Sequence, residues 1–157
     1  MVMDRRDDPF YSSADTGQVD RLLATIEFSK ALVSAYDMET LLTAILERIK
    51  AIIPAENWSL LLIDPQTGEL YFAVSVGLAP ETVKDIRLKP GEGIAGTVAQ
   101  TGKPIFIPDV DQDPRFAARV DTQTGFDTRS IISLPLVVRG EVIGVFEVVN
   151  VQEERFF

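Results

Sequence analysis

Two polar residues, Glu147 and Ser59, lie inside apolar runs of the sequence that are typical of buried strands. Alternate residues of a strand share a face, and those that would share a face with Glu147 are Ile143, Val145 and Val149. An unpaired carboxylate among them would be strongly destabilising. Three interpretations of Glu147 stay open: a structural salt bridge, a ligand contact, or a position at an exposed strand edge.

The composition restricts catalytic chemistry, because the 157 residues include no cysteine and no histidine. The chain therefore has no thiolate nucleophile, no Ser-His-Asp triad, no disulfide, and no sulfur or imidazole ligand for a metal or haem. Carboxylates, lysines, tyrosines and hydroxyls remain, and acidic pairs such as Glu153 and Glu154 show no convergence with other reactive groups. We predict a protein that is not an enzyme, with no catalytic residue, no metal and no cofactor.

Gly91, Gly93 and Gly96 spell the G-x-G-x-x-G pattern of dinucleotide-binding proteins, before a predicted helix. That fold requires repeated parallel βαβ units, whereas this sequence predicts hairpins. We interpret the glycines as a turn that lets the helix approach its neighbours closely.

Asp109, Asp111 and Asp113 alternate like the first ligands of a calcium-binding EF-hand loop. Pro114 then occupies the place of the turn glycine, and Val120 that of the bidentate glutamate. We therefore predict a solvated acidic loop.

The net charge of −9 disfavours partners that are themselves polyanions, such as nucleic acid or an anionic membrane. No stretch approaches the ~18 apolar residues that a transmembrane helix needs, and residues 1–17 lack the apolar core of a signal peptide. We therefore predict a cytoplasmic protein that binds neither nucleic acid nor membrane.

Residues 1–17 are predicted to be a flexible leader or linker, and residues 18–157 a single domain. Apolar residues at helical spacing predict a first helix over residues 19–34. Asp37 would cap the start of a second helix that ends before Pro54. The stripe on the first helix is wider than one face needs. It could therefore meet a helix of a partner subunit, or pack entirely on its own sheet.

The remaining apolar runs predict strands in two hairpins, and two shorter strands. A helix is expected over residues 94–101, closed by Gly102 in the left-handed conformation. Hairpins favour an antiparallel sheet, and strands that are apolar on both faces favour helices on both sides of it. The predicted strands are 58–63 with 70–76, 131–138 with 141–149, 86–88, and 105–107.

Five sequence blocks, taken in order and at their spacing, resemble the GAF domain family. The resemblance implies an α+β fold with a central antiparallel sheet of about six strands, helices on both faces and a small-molecule pocket on one side. It also implies dimer-forming helices at both ends, of which the C-terminal one is expected to be truncated at Phe157. The blocks are GEGIAGTVAQTGKPI (91–105), IPD (107–109), PRF (114–116), SIISLPL (130–136) and VIGVFEVVN (142–150).

Within that family, the segment VDTQTGFDTRS (120–130) is similar to the part that covers bound nucleotide in the regulatory GAF domains of cyclic-nucleotide phosphodiesterases and related cyclases. The Phe-Asp pair of cGMP-selective members falls on Ser75 and Val76, so an adenine or another ligand is open. After Asn150, the family's Lys is replaced by Val151. The positions that match ligand contacts are Ser59, Ile94, Ala95, Asp121, Thr124, Thr128 and Glu147.

The resemblance therefore implies a non-catalytic regulatory sensor in a signalling protein. It would bind a small molecule, a cyclic nucleotide or another purine, and relay occupancy to a covalently attached output domain, as a homodimer. The alternative is a ligand-free GAF module for dimerisation or protein interaction.

Overall fold

The computed structural model describes residues 13–157, with only the backbone for parts of the first helix. The chain divides into two compact units, Met1–Thr40 and Leu41–Phe157. Each predicted hairpin and short strand is present. The described residues also contain two further short α-helices and two 3-10 helices, Val110–Gln112 and Glu154–Phe156. In order, the elements are α1 (Ser13–Ile52), β1 (Asn57–Ile63), β2 (Leu70–Val76), α2 (Pro80–Val83), β3 (Arg87–Leu88), α3 (Gly93–Thr101), β4 (Ile105–Ile107), α4 (Arg119–Thr124), β5 (Ile131–Val138) and β6 (Glu141–Val149).

Helix α1 is continuous through the position where a helix start was predicted. Asp37 lies inside it, so the predicted N-cap and the break before it are wrong. No Pro or Gly occurs between Gly17 and Pro54, and nothing in that stretch obliges the helix to stop. Residues 1–12 of the predicted leader lie outside the described residues, so the leader boundary stays a prediction.

All strand pairs in the single six-stranded sheet are antiparallel, and the strand order is β3-β2-β1-β6-β5-β4. A tight two-residue turn joins β5 to β6, because Arg139 and Gly140 both have positive φ (51° and 82°). Strands β1 and β6 therefore lie side by side at the centre of the sheet. The α+β fold expected from the sequence is confirmed.

Apolar side chains cover both faces of the sheet. On one face, Leu46 of α1 packs with Trp58, Ile132 and Phe146. On the other face, α3 packs on the strands through a second cluster that includes Val98. Among the described residues, no helix is both long enough and apolar enough to cross a bilayer.

Helix α3 fits against the preceding loop because residue 96 is glycine. A Cβ there would lie 2.5 Å from the carbonyl oxygen of Lys89, and the Gly91 amide donates to the Gly96 carbonyl at 2.8 Å. The helix ends as predicted, with Gly102 left-handed at φ 66°. The glycine motif therefore packs the start of α3 against residues 89–91.

Gly96→Ala should lower the free energy of unfolding by about 1–3 kcal/mol, because the clashing atom belongs to the backbone and cannot move away cheaply. Urea unfolding followed by circular dichroism would measure the loss. Gly17→Ala is the matched control, since its added Cβ meets nothing within 4 Å and helical Ala is favoured over Gly. A Gly96→Ala variant as stable as the parent would show that this contact is not tight.

Candidate functional site

A small cavity of about 70 Å³ lies on the α3 side of the sheet. The sheet forms its floor, and the start of α3 forms one wall. Its roof is the segment 110–129, in which residues between 116 and 128 line the cavity. All the residues predicted to contact a ligand line it: Ser59, Ile94, Ala95, Asp121, Thr124, Thr128 and Glu147. The structure therefore brings together side chains that are up to 88 positions apart in the sequence.

A row of four polar side chains crosses the sheet at this level. The strand register pairs Ser75 with Ser59, Ser59 with Glu147, and Glu147 with Ser133. Each residue comes from a different strand, from β2 through β1 and β6 to β5. Ser133 was not predicted, because only the pairing of β5 with β6 reveals it as a neighbour of Glu147.

Glu147 is 9% exposed. In the described part of the chain it makes a single hydrogen bond, from Ser133 Oγ to its Oε1 at 3.1 Å. No cation pairs with it among the described residues. Among the described residues, every fully buried side-chain oxygen has a hydrogen-bond partner, whereas Glu147 Oε2 has none. Oε2 is therefore not fully buried, and it keeps access to the cavity that Glu147 lines. Burial raises the pKa of Glu147 to about 7, against the opposing effect of the Ser133 bond. Within the part of the chain that the structure describes, Glu147 is therefore neither in a salt bridge nor at an exposed strand edge.

Ser59 belongs to a closed ring of hydrogen bonds with Asn57 and Ser75. Ser75 Oγ donates to Asn57 Oδ1 at 3.0 Å, and Asn57 Nδ2 donates to Ser59 Oγ at 2.9 Å. The single hydroxyl proton of Ser75 is thereby used, so Ser59 is the donor in the 3.2 Å contact between the two hydroxyls. Ser59 can offer a ligand only an acceptor lone pair.

The wall of the cavity carries the free amides of α3. Glu92 is its N-cap but makes no side-chain cap, and the first intrahelical bond runs from Gly96 N to Glu92 O at 3.0 Å. The amides of residues 93–95 therefore have no helical partner, and Ile94 and Ala95 line the cavity. The positive end of a helix dipole and its free N–H groups favour an anion.

The polar side chains of the roof form hydrogen bonds with other groups of the roof itself. Asp121 accepts from the amide and the hydroxyl of Thr128, at 2.7 and 2.6 Å. Thr124 Oγ donates to the Val120 carbonyl at 2.9 Å and accepts from the Phe126 amide at 3.3 Å. Asp121, Thr124 and Thr128 therefore lie at the cavity, but their bonds hold the roof in shape. Sequence reasoning missed its apolar lining, namely Phe116, Val120 and Phe126.

The acidic loop is stabilised by its own bonds. Asp109 accepts from the Asp111 amide at 3.1 Å, and Asp113 forms an ion pair with Arg115 at 2.6 Å. The Arg115 guanidinium lowers the pKa of Asp113 to about 2. Within residues 13–157, no group of acidic side chains is arranged to hold a metal ion.

The chain is similar to a known protein family and to several known proteins. A model of the GAF domain family matches residues 37–157. "Probable 3',5'-cyclic phosphodiesterase pde-5" of Caenorhabditis elegans is 34% identical over 128 residues, which is 76% of this chain and 18% of that protein. "Dual 3',5'-cyclic-AMP and -GMP phosphodiesterase 11" of Drosophila melanogaster is 29% identical over 85% of this chain and 10% of that protein. "Nif-specific regulatory protein" of Herbaspirillum seropedicae is 33% identical over 83% and 24%, respectively.

The chain thus spans between 10% and 24% of these relatives. Among solved structures, the GAF domain of a phosphoenolpyruvate-protein phosphotransferase from Coxiella burnetii matches with a TM-score of 0.67 and 25% identity, over 85% of this chain and 81% of that chain. A free methionine-R-sulfoxide reductase from Neisseria meningitidis matches with a TM-score of 0.55 and 26% identity, over 68% and 60%, respectively. The sheet order, the cavity and these matches together lead to one conclusion: this chain belongs to the GAF domain family.

Proposed function

We propose that this regulatory sensor domain holds a purine cyclic nucleotide in the cavity over its sheet and relays occupancy to an attached output domain. The observation that carries the proposal is Glu147. A carboxyl group in the middle of a central strand, with one oxygen open to a cavity and no cation beside it, makes folding less favourable. A ligand that donates a hydrogen bond to that oxygen supplies a reason for it to be there.

Three properties of the cavity support this ligand class. The floor has an acceptor for an exocyclic amine or ribose hydroxyl in Glu147, and the wall has free amides for a phosphate at the start of α3. Between them, Phe72, Phe116 and Phe126 offer apolar surface for a base. Two relatives are named for activity on cyclic nucleotides.

Occupancy requires the roof to move. The cavity of about 70 Å³ holds a few water molecules, whereas pockets for drug-sized ligands start at roughly 300 Å³. A ligand that binds only beneath a displaced roof shifts the population toward that conformation. The proposed signal is this change in the roof.

We propose that the domain acts without catalysis, although its fold also occurs in a methionine sulfoxide reductase. The chain has no cysteine to supply a thiolate nucleophile and no histidine to act as a general base. A cytoplasmic location, where purine nucleotides are present, belongs to the same proposal.

Exposed apolar residues favour a second candidate function, a dimerisation module with an empty cavity. Leu22, Leu23 and Ile26 of α1 are all exposed in the first unit. A second copy of this chain could cover them, as coiled-coil partners cover each other's apolar stripes. Homodimerisation is compatible with ligand binding, so this candidate replaces the first only if no ligand binds.

Thermal melting with millimolar cAMP or cGMP distinguishes the ligand-binding sensor from the dimerisation module with an empty cavity. Ligand at about 100 times its dissociation constant should stabilise the protein by about 2.7 kcal/mol. Glu147→Gln should weaken binding roughly tenfold or more, because it removes the charged acceptor. Glu141→Gln, at an exposed position on the same strand, is the matched control and should keep the full shift.

The absence of a shift with either nucleotide would contradict the proposal. A dimer in light scattering whose population depends on concentration, in the same samples, would then support the interaction module.

A further inference from the structure

The roof is anchored firmly at its base. The Val110 amide donates to the Arg129 carbonyl at 2.9 Å, and the amides of Arg129 and Ser130 donate to Asn150 Oδ1 at 2.6 and 3.3 Å. Both ends of the roof segment, 110–129, are thus joined to each other and to the end of β6.

At the other end of the roof, α4 is held by one side chain. Arg119 donates from Nε and Nη2 to Glu92 Oε1, at 3.0 and 2.7 Å, and from Nη2 to the Arg87 carbonyl at 2.6 Å. Every other hydrogen bond of α4 among the described residues stays within residues 118–128. The apolar contacts of the roof have no preferred direction. The hydrogen bonds of Arg119 are therefore the directional contacts that attach the roof to the wall.

We propose that Arg119 is a positioning residue, the latch that holds the roof of the cavity shut by its bonds to Glu92 and to the Arg87 carbonyl. Opening the roof requires these bonds to break while the base stays attached. Since Glu92 is also the N-cap of α3, the latch joins the roof to the helix start that offers free amides.

The ion pair between Arg119 and Glu92 is of a kind that can break when the roof opens. The side chains of Arg119 and Glu92 are 42% and 29% exposed, so water and salt can replace their contact. The Lys89 amide, and then the Arg119 guanidinium, hold the pKa of Glu92 below its ordinary value. The pair therefore stays ionised near neutral pH, and ionic strength is the variable that weakens it.

Hydrogen exchange in the ligand-free protein tests the latch. Arg119→Ala should accelerate exchange of the amides in and directly after α4, such as those of Thr122 and Gly125, roughly three- to twentyfold, which corresponds to the loss of a partly exposed charged hydrogen-bond pair. Glu92→Gln should produce a smaller acceleration, and it decides the question if Arg119→Ala does not fold. Arg115→Ala, which removes only an ion pair internal to the roof, is the matched control.

Salt supplies a second readout. Raising NaCl to about 0.5 M should accelerate α4 exchange in the parent but not in Arg119→Ala. Unchanged α4 exchange in Arg119→Ala and Glu92→Gln would overturn the proposal. So would acceleration that extends equally to β6, because Arg119 would then support the whole fold. The latch proposal depends on the proposed function only for the identity of the ligand that binds beneath the roof. The exchange experiment contains no ligand, so either proposal can fail without the other.

Discussion

Replacing Glu147 with Gln should raise the free energy of unfolding by about 3 kcal/mol at pH 8, and this gain should disappear as the pH falls toward 4.5. The carboxyl group is buried, and Ser133 is its single donor among the described residues. Ionisation in that place opposes folding, whereas Gln is neutral at every pH. If Glu147 binds a ligand as proposed, a gain in stability on its removal is the result expected where function and folding conflict.

The sign follows from the proton balance. Burial raises the pKa of Glu147 from 4.5 to about 7 in the folded state, so the folded protein binds a proton more tightly than the unfolded chain. Its contribution to stability is complete below pH 4.5 and is lost as the pH rises to about 7. The slope in this range is about −1.4 kcal/mol per pH unit, and stability levels off above it.

Urea denaturation of parent and variant from pH 4.5 to 8.5 would measure this difference. Subtracting the two curves removes the contributions of other carboxylates, such as Asp113, which titrate in both proteins. Glu141→Gln is the control and should follow the parent at every pH. A difference between parent and Glu147→Gln that is independent of pH would show that Glu147 ionises normally in the folded state.

The sequence predicts those parts of this domain that local periodicity and turn chemistry determine. Alternation and apolar runs locate the strands, and Gly102 marks the end of α3. Helices α2 and α4 have only four and six residues, too few for a helical period to register. Asp37 shows the opposite error, because a residue suited to capping also fits within a continuous helix.

In the candidate site, too, some residues are identifiable from the sequence and others only from the fold. Glu147 is identifiable from sequence because its apolar neighbours on the strand make its burial unfavourable. Its donor Ser133 is 14 residues away and becomes its neighbour only through strand pairing. Arg119 and Glu92 are 27 residues apart and carry no motif that pairs them. Long-range partners of this kind require the fold.

Asn150 connects the base of the roof to the start of β1. It is almost fully buried and has φ 55°, a left-handed conformation that is uncommon outside glycine. Its Nδ2 donates to Glu56 Oε2 at 2.7 Å and to the Asp127 carbonyl at 2.8 Å. With the bonds that Oδ1 accepts from Arg129 and Ser130, this single side chain makes four hydrogen bonds.

Asn150→Ala should therefore lower the free energy of unfolding by about 3 kcal/mol or more. It leaves two amides without their acceptor, and it places Ala in a left-handed conformation. Asn150→Gly should recover about 1 kcal/mol of this loss, because only the backbone strain is relieved. Urea unfolding of the three proteins would separate the two effects.

The charge at this position gives a further test of the same contact. Asn150→Asp keeps the size of the side chain but puts a carboxylate where an amide group donates to Glu56. That bond, and secondarily the Arg129 guanidinium, lowers the pKa of Glu56, so Asp at 150 would face an ionised partner at neutral pH. Asn150→Asp should consequently lose more stability at pH 8 than at pH 4.5, whereas the deficit of Asn150→Ala should change little with pH. Equal stability of Asn150→Ala and the parent would mean that the four hydrogen bonds of Asn150 contribute nothing to the stability of the fold.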